Sequence, residues 1–287
     1  MSTNYAYRNS DTRPRKQSIG IPVRFLIAGA IALFSVISYF SMGDENPITG
    51  ETQRVAMSPD EEIALGLQAA PEMAQQHGGL HPDQQAQQHV DDIGSKLLVA
   101  VQKVVRKNNG ENPFKFDFHL LADDKTVNAF ALPGGQVFIT AALYNRLETE
   151  GQLAGVIGHE IGHVLMRHGA QRMAKQKLTQ GLVSATGVAG GGQQSAQMAA
   201  AVANMVNMKY GRDDELESDK WGVELCVEAG YDPRAMIQVM SILEDASGGG
   251  GPPEMMSTHP KPANRQAYIK DVIDTVYPNG LPTGLRP

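Results

Sequence analysis

The residues best able to do chemistry in this chain are concentrated in the run His159-Glu160-Ile161-Gly162-His163. On a helix, two imidazoles four positions apart share a face, about one turn or ~6 Å apart along the axis. That spacing lets both nitrogens reach one zinc ion at ~2.0–2.1 Å. The glutamate between them can then take a proton from a zinc-held water, which is the chemistry of metal-assisted hydrolysis.

The flanks supply the helix that this geometry needs. Leu153, Val156, Ile157, Ile161, Val164 and Leu165 recur at spacings of three and four, the period of a helix with one apolar face. Thr149 followed by Gln152 forms a capping box at its start, and Gly169 is a natural stop. Two histidines do not complete a zinc site. One known arrangement adds a third histidine as His-x-x-Gly-x-x-His, but Met166 and Gly169 occupy those glycine and histidine positions. His168 falls one position early and reads as structural, or as a cap on the helix end. The other arrangement takes a carboxylate from a second helix. The acidic run around Glu215, Glu217 and Asp219 offers one, with Trp221, Leu225 and Cys226 as its inner face. Glu215 and Asp219 are four apart and share a face. Glu215 can ligate a metal there, and Asp219 can accept the second N–H of a ligand histidine. Glu217 points about 200° away from Glu215 and is the fallback ligand.

Five motifs occur in order along residues 58–270: Asn128-Ala-Phe-Ala-Leu-Pro-Gly-Gly135, the His-Glu-Ile-Gly-His run, Glu215-x-x-x-Asp219, Ala229-Gly-Tyr-Asp-Pro233 and Thr258-His-Pro260. By these motifs the chain resembles the zinc metallopeptidases that include the HtpX-like membrane proteases and the CAAX prenyl proteases. Within them it is most similar to the single-domain bacterial and mitochondrial quality-control branch. The resemblance implies an α+β, mainly helical, zincin-like (gluzincin) fold with a small β-sheet, one zinc per chain and endopeptidase activity. It assigns Glu160 as general base and His159, His163 and Glu215 as ligands. It also implies that Asn128, Ala129, Phe130 and Ala131 form the sheet edge beside the metal, where an extended substrate adds by backbone hydrogen bonds. His259 is expected near the metal, either donating to the oxyanion or filling the open zinc position.

The elements that must position these groups follow from the rest of the 287 residues. The net charge of −6 hides an asymmetry, since residues 1–24 carry Arg8, Arg13, Arg15, Lys16 and Arg24 against Asp11. The acidic remainder argues against nucleic acid as a partner. Residues 25–42 are uncharged and apolar, long enough at ~27 Å to cross a bilayer core. The basic tail before them places the N-terminus in the cytoplasm and the body in the periplasm or its equivalent. A cleaved signal peptide and secretion to the periplasm is the alternative. The single Cys226 excludes an internal disulfide and a lipoprotein anchor and reads as a buried apolar residue.

Residues 43–57 read as a polar linker and 58–277 as the catalytic domain, with 278–287 an irregular tail. Ser58-Pro59-Asp60-Glu61 starts a helix running to Gln76. A second helix runs to Lys107 with Ile93, Leu97, Val101, Val104 and Val105 on one face. His77, His81 and His89 are spaced irregularly and read as surface histidines. Phe114 to Leu120 alternates as a half-buried strand, and residues 127–132 and 136–140 form two more around Pro133-Gly134-Gly135. Residues 178–208, rich in Gly, Ala, Gln and Met, read as two short helices with a hinge and a possible lid over the cleft. Residues 246–253 read as a flexible loop. The expected partners are polypeptide substrates and, through the N-terminal helix, a lipid bilayer; nothing specifies an oligomeric state. Misfolded or misassembled envelope proteins are the expected substrates by analogy. The competing expectation is a membrane-tethered chaperone or adaptor that keeps the fold and binds clients with cleavage repressed.

Overall fold

The computed structural model describes residues 21–107, 109–190, 211–246, 254–259 and 265–287. The basic tail before residue 21, the second half of the 178–208 segment and the glycine-rich loop at 247–253 lie outside these residues. The fold is mainly helical with two small sheets.

Helix α1 (Val23–Ser41) is followed by an antiparallel hairpin of β1 (Gly43–Glu45) and β2 (Thr52–Arg54). The stretch expected as a linker is therefore ordered. The reason is its side chains, which satisfy backbone groups elsewhere. Asn46 donates to the carbonyl of Leu165 at 2.9 Å, and Gln53 donates to that of Met166 at 3.1 Å. These are carbonyls that a helix C-terminus leaves without intrahelical partners.

Helix α2 (Pro59–Gln76) begins with Ser58 accepting from the Glu61 amide and Glu61 accepting from the Ser58 amide, a reciprocal cap. Helix α3 (Gln84–Lys107) buries Val90, Ile93, Leu97, Val101, Val104 and Val105 on one stripe. A three-stranded sheet follows in the order β3 (Asp117–Leu121), β5 (Gln136–Thr140), β4 (Ala129–Ala131). β3 pairs with β5 in parallel and β4 pairs with β5 antiparallel. The Phe114–Leu120 alternation is present, but pairing begins only at Asp117. Thr140 N donates to Asn128 O and Leu132 N to Gln136 O, so the even positions of β4 face β5. The backbone groups of Ala129 and Ala131 are left on the outer edge, which no further strand pairs among the described residues.

After the short α4 (Ala141–Tyr144) comes α5 (Glu150–Leu165), buried at every position from Gly151 to Leu165. Thr149 caps it by accepting from Gln152 N. It packs mainly on α7 (Arg212–Ala229), and also on α3 and α8 (Ala235–Asp245). Glycines set this approach: a Cβ on Gly158 would sit 3.3 Å from Gly222 Cα, and one on Gly162 would sit 3.0 Å from Ser218 Cα and Trp221 Cβ. The two backbones touch where any side chain would hold them apart.

The stop of α5 is not Gly169. The chain turns at Arg167, whose φ of 57° is left-handed, and Gly169 lies inside α6 (His168–Gly190). Strain at a non-glycine residue in that region needs compensation. The buried Arg167 side chain provides it, with ion pairs to Glu62 at 2.7 Å and Asp44 at 2.8 Å and a bond to Met57 O at 2.7 Å. The first half of the 178–208 segment continues α6 as one helix and packs against α1. The fold closes with α9 (Glu254–Thr258), α10 (Arg265–Val276) and the tail. That tail is irregular but docked: Pro287 O accepts from Gly151 N at 2.8 Å and Arg286 lies over the Tyr231 ring.

Candidate metal centre

His159 and His163 project from mid-α5 onto the face that meets α7, where Glu215 stands one turn into its helix. The close α5–α7 packing brings Glu215 to the histidines, and His259, the residue directly after α9, joins them. One ligand atom from each of these four buried residues lies within 4.8 Å of all the others. No other such group is found among the described residues. His77 instead pairs with Asp123, and His89 with Tyr144.

The separations test whether a metal fits. Tetrahedral zinc with donors at 2.0–2.1 Å needs donor–donor edges of about 3.3 Å. His159 Nε2 is 3.1 Å from His163 Nε2 and 3.5 Å from Glu215 Oε2, and His163 Nε2 is 3.4 Å from Glu215 Oε1. His259 Nδ1 is 3.4 Å from His159 Nε2 and 3.0 Å from Glu215 Oε1. Charge gives the same answer. Glu160, Glu215 and Asp219 are fully buried carboxylates facing one buried guanidinium, Arg265. The carboxylates outnumber the fixed cation, an excess of negative charge that a metal dication offsets, and buried charge left unbalanced is costly. The residues fit a zinc ion.

Groups behind the donors set their orientation. His159 turns Nε2 to the cluster, so Nδ1 carries the proton and donates to Asp219 Oδ1 at 3.0 Å. Burial and Arg265 oppose a charged His159, but hydrogen bonds to Asp219 and Glu215 outweigh them and raise its pKa to about 9. Burial, with His159 and His259 nearby, holds His163 well below the ordinary imidazole range. One proton at most thus sits on the facing pair. Glu215 stays ionised: burial opposes this, but His259 and the hydrogen bonds from three histidines prevail. Asp219 is likewise held low, chiefly by Arg265 against burial.

His168 and Glu217 have a place in this arrangement that spacing alone did not assign. His168 Nε2 donates to Glu217 Oε2 at 2.9 Å, which leaves His168 Nδ1 as acceptor for His163 Nδ1 at 2.9 Å. His163 Nε2 then carries the lone pair that faces the cluster. Glu217 therefore sits outside the donor group, and His168 is more than a helix cap. Arg265 was the other omission. Its Nε and Nη2 each donate to Asp219 at 2.7 Å, and Nη1 lies 3.0 Å from Glu215 Oε2. An uncompensated pair of acids one turn apart was the signal that a buried cation had to exist.

Glu160 is fully buried, and neither of its oxygens has a hydrogen-bond partner among the described residues. Its Oε1 lies 3.6 Å from His259 Nε2. The cavities beside the cluster, lined by Met240, Met255 and His259 and by Gly155, His159 and Met236, hold only about 10 Å³ each. A cavity of about 400 Å³ between the end of α3 and Phe114 is lined by none of the four donor residues. The β4 edge runs beside α5, with Asn128 buried and bonded to Glu254 of α9. Cys226 is buried and its thiol is pushed up to about 12 by burial, which makes it inert.

Comparison with known proteins places this geometry. The model of peptidase family M48 matches residues 86–273. A beta-barrel assembly-enhancing protease of Yersinia pestis is 29% identical over 245 residues, covering 81% of this chain and 48% of that protein. The protein of the same name in Escherichia coli K12 is 31% identical over 67% of this chain and 39% of its own length. The human mitochondrial metalloendopeptidase OMA1 is 26% identical over 87% of this chain and 49% of its own length. The chain spans half or less of the length of these relatives.

Proposed function

This chain belongs to peptidase family M48, and from that premise we propose that it is a zinc-dependent endopeptidase, tethered to the membrane by α1, that cuts misfolded or misassembled polypeptides of the cell envelope. The observation that carries the reading is the donor set: two histidines and a carboxylate at tetrahedral separations, with the buried carboxylate of Glu160 beside them. His159, His163 and Glu215 hold the ion, and Asp219, Arg265 and the His168–Glu217 pair hold the ligands. When bound, zinc polarises the scissile carbonyl and acidifies a water. Glu160 accepts the water's proton and returns one to the leaving amine. The outer backbone of Ala129 and Ala131 aligns the substrate as an added strand.

The relatives named for beta-barrel assembly and the mitochondrial member support the quality-control branch rather than prenyl-protein processing. Those relatives are named as proteases, which supports hydrolysis over client holding without cleavage. The basic residues before α1 support a cytoplasmic N-terminus and an extracytoplasmic catalytic domain, taken as residues 58–277. The test is cleavage of an unfolded polypeptide by the detergent-solubilised protein. A zinc chelator should abolish it and added zinc should restore it. Cleavage that survives metal removal would overturn the proposal.

For His259, the Nδ1 position inside the donor group favours the fourth-ligand role over that of oxyanion donor. The small cavities around it are consistent with a closed site. His259→Ala should retain zinc and raise the rate of peptide cleavage several-fold. A fall of ~10²-fold or more with zinc retained would instead assign it to the oxyanion.

A further inference from the structure

We infer that the groove between the C-terminal half of α3 and the residues leading into β3 is a second polypeptide-binding site, which takes an extended segment as an added strand beside Phe116. It lies apart from the donor group, and the inference does not depend on the catalytic reading.

The backbone makes the first argument. β3 is an outer strand of its sheet, paired only with β5. An open edge is a template for another strand, and proteins normally cover it. From Phe118 onward this edge is covered. Gln87 reaches from α3 and imitates a strand, donating to Phe118 O at 2.9 Å and accepting from Leu120 N at 2.8 Å. His81 N donates to Leu120 O at 2.8 Å, and Leu80 bridges Leu121. One step earlier the cover stops. Lys115 N and Asp117 N donate inward to Gly134 O and Gly135 O at 3.1 and 3.0 Å. By the alternation of an extended chain, the N–H and carbonyl of Phe116 face outward. Neither meets a partner among the described residues.

Side chains make the second argument. The open edge borders the cavity of about 400 Å³, a volume within the ~300–1,000 Å³ of ligand pockets. Its floor is apolar, with Leu98 and Val105 from α3 facing Phe114 and Phe116. Around the floor stand two amides, Gln102 and Asn112, and one charge of each sign, Arg106 and Glu111. A nucleotide or other polyanion needs an excess of cations, which this lining does not offer. An uncharged extended backbone with an apolar side chain at every second residue matches all three features. The edge of Phe116 takes its amides and carbonyls, the floor takes the side chains that alternate toward α3, and the rim takes the remaining polar groups. This is strand addition in a groove between a sheet edge and a helix. The sheet then carries an addition edge on each side, β4 next to α5 and the approach to β3 next to α3.

The test locates a peptide on the full chain in detergent, carrying Glu160→Gln so that no probe is cut. Bimane is attached at Gln102→Cys, in the groove, or at Gln85→Cys, about 25 Å back along α3. The native Cys226 is buried and stays unlabelled. The probe is a twelve-residue peptide of alternating Val and Thr with one central Trp, whose indole quenches bimane on contact. Quenching should be saturable at Gln102→Cys and absent at Gln85→Cys. Phe116→Ala keeps the edge N–H and Phe116→Pro removes it, so the proline should weaken binding about tenfold beyond the alanine. A second probe asks the same question of the unaltered groove. The peptide N-methylated at every residue keeps its side chains but has no backbone donors, and it should not quench. No saturable quenching at Gln102→Cys, or equal binding of the N-methylated peptide, would overturn the inference. So would a dimer in sedimentation that Phe116→Pro dissolves, because the edge would then belong to a second copy. Groove binding in a wild-type chain that cuts nothing would sink the catalytic reading and leave the groove standing.

Discussion

Arg265→Ala is expected to cost about 3–5 kcal/mol of stability and to strip the protein of zinc at ordinary metal concentrations. The guanidinium is 3% exposed and binds Asp219 through two nitrogens while a third faces Glu215. Removing it leaves two buried carboxylates facing each other along α7 with no fixed cation. Zinc can compensate Glu215 but not Asp219, which would then hold His159 less well. Arg265→Lys keeps the charge but cannot make the forked contact with Asp219. It should fall between wild type and alanine in both stability and zinc content. Denaturant unfolding with and without zinc, together with metal analysis, checks this. An alanine variant within about 1 kcal/mol of wild type, the range of an exposed ion pair, and fully loaded would show that the arginine does not balance the site.

The parts legible in the sequence were those with local causes. α2 and α3 could be read from a serine–glutamate cap and an apolar stripe, because both signals lie within a few residues. The His-Glu-x-x-His spacing needs only helix geometry, and so does the shared face of Glu215 and Asp219. What escaped depends on how helices meet. The Glu217–His168–His163 chain exists because Gly158 and Gly162 let α7 sit against α5, which places a residue facing away from Glu215 beside a different histidine. Arg265 comes from the last helix, and nothing in its own neighbourhood distinguishes it from a surface arginine. Gly169 was read as a helix stop because glycine is the usual left-handed residue, but three long-range bonds let Arg167 take that conformation. The apparent linker became a hairpin because Asn46 and Gln53 reach carbonyls more than a hundred positions away. The same distance hid the pairing of α1 with α6.

Glu160→Gln should leave the donor group intact and remove the base. The amide has nearly the size and shape of the carboxylate, so the buried site keeps its packing, and Glu160 is not among the four donors. The substitution also takes one negative charge from the centre, which weakens zinc binding, but every donor remains, so that loss should be small beside the loss of turnover. General-base catalysis is worth ~10²–10⁴-fold, and the rate should fall by that factor. Because the variant still binds substrate, it should also trap polypeptides that the active enzyme releases.

The most direct test combines both properties on one sample: zinc content and cleavage rate of purified Glu160→Gln beside wild type. The account predicts one zinc per chain in each and a rate at least ~10²-fold lower in the variant. A zinc-loaded variant that cleaves at the wild-type rate would contradict it.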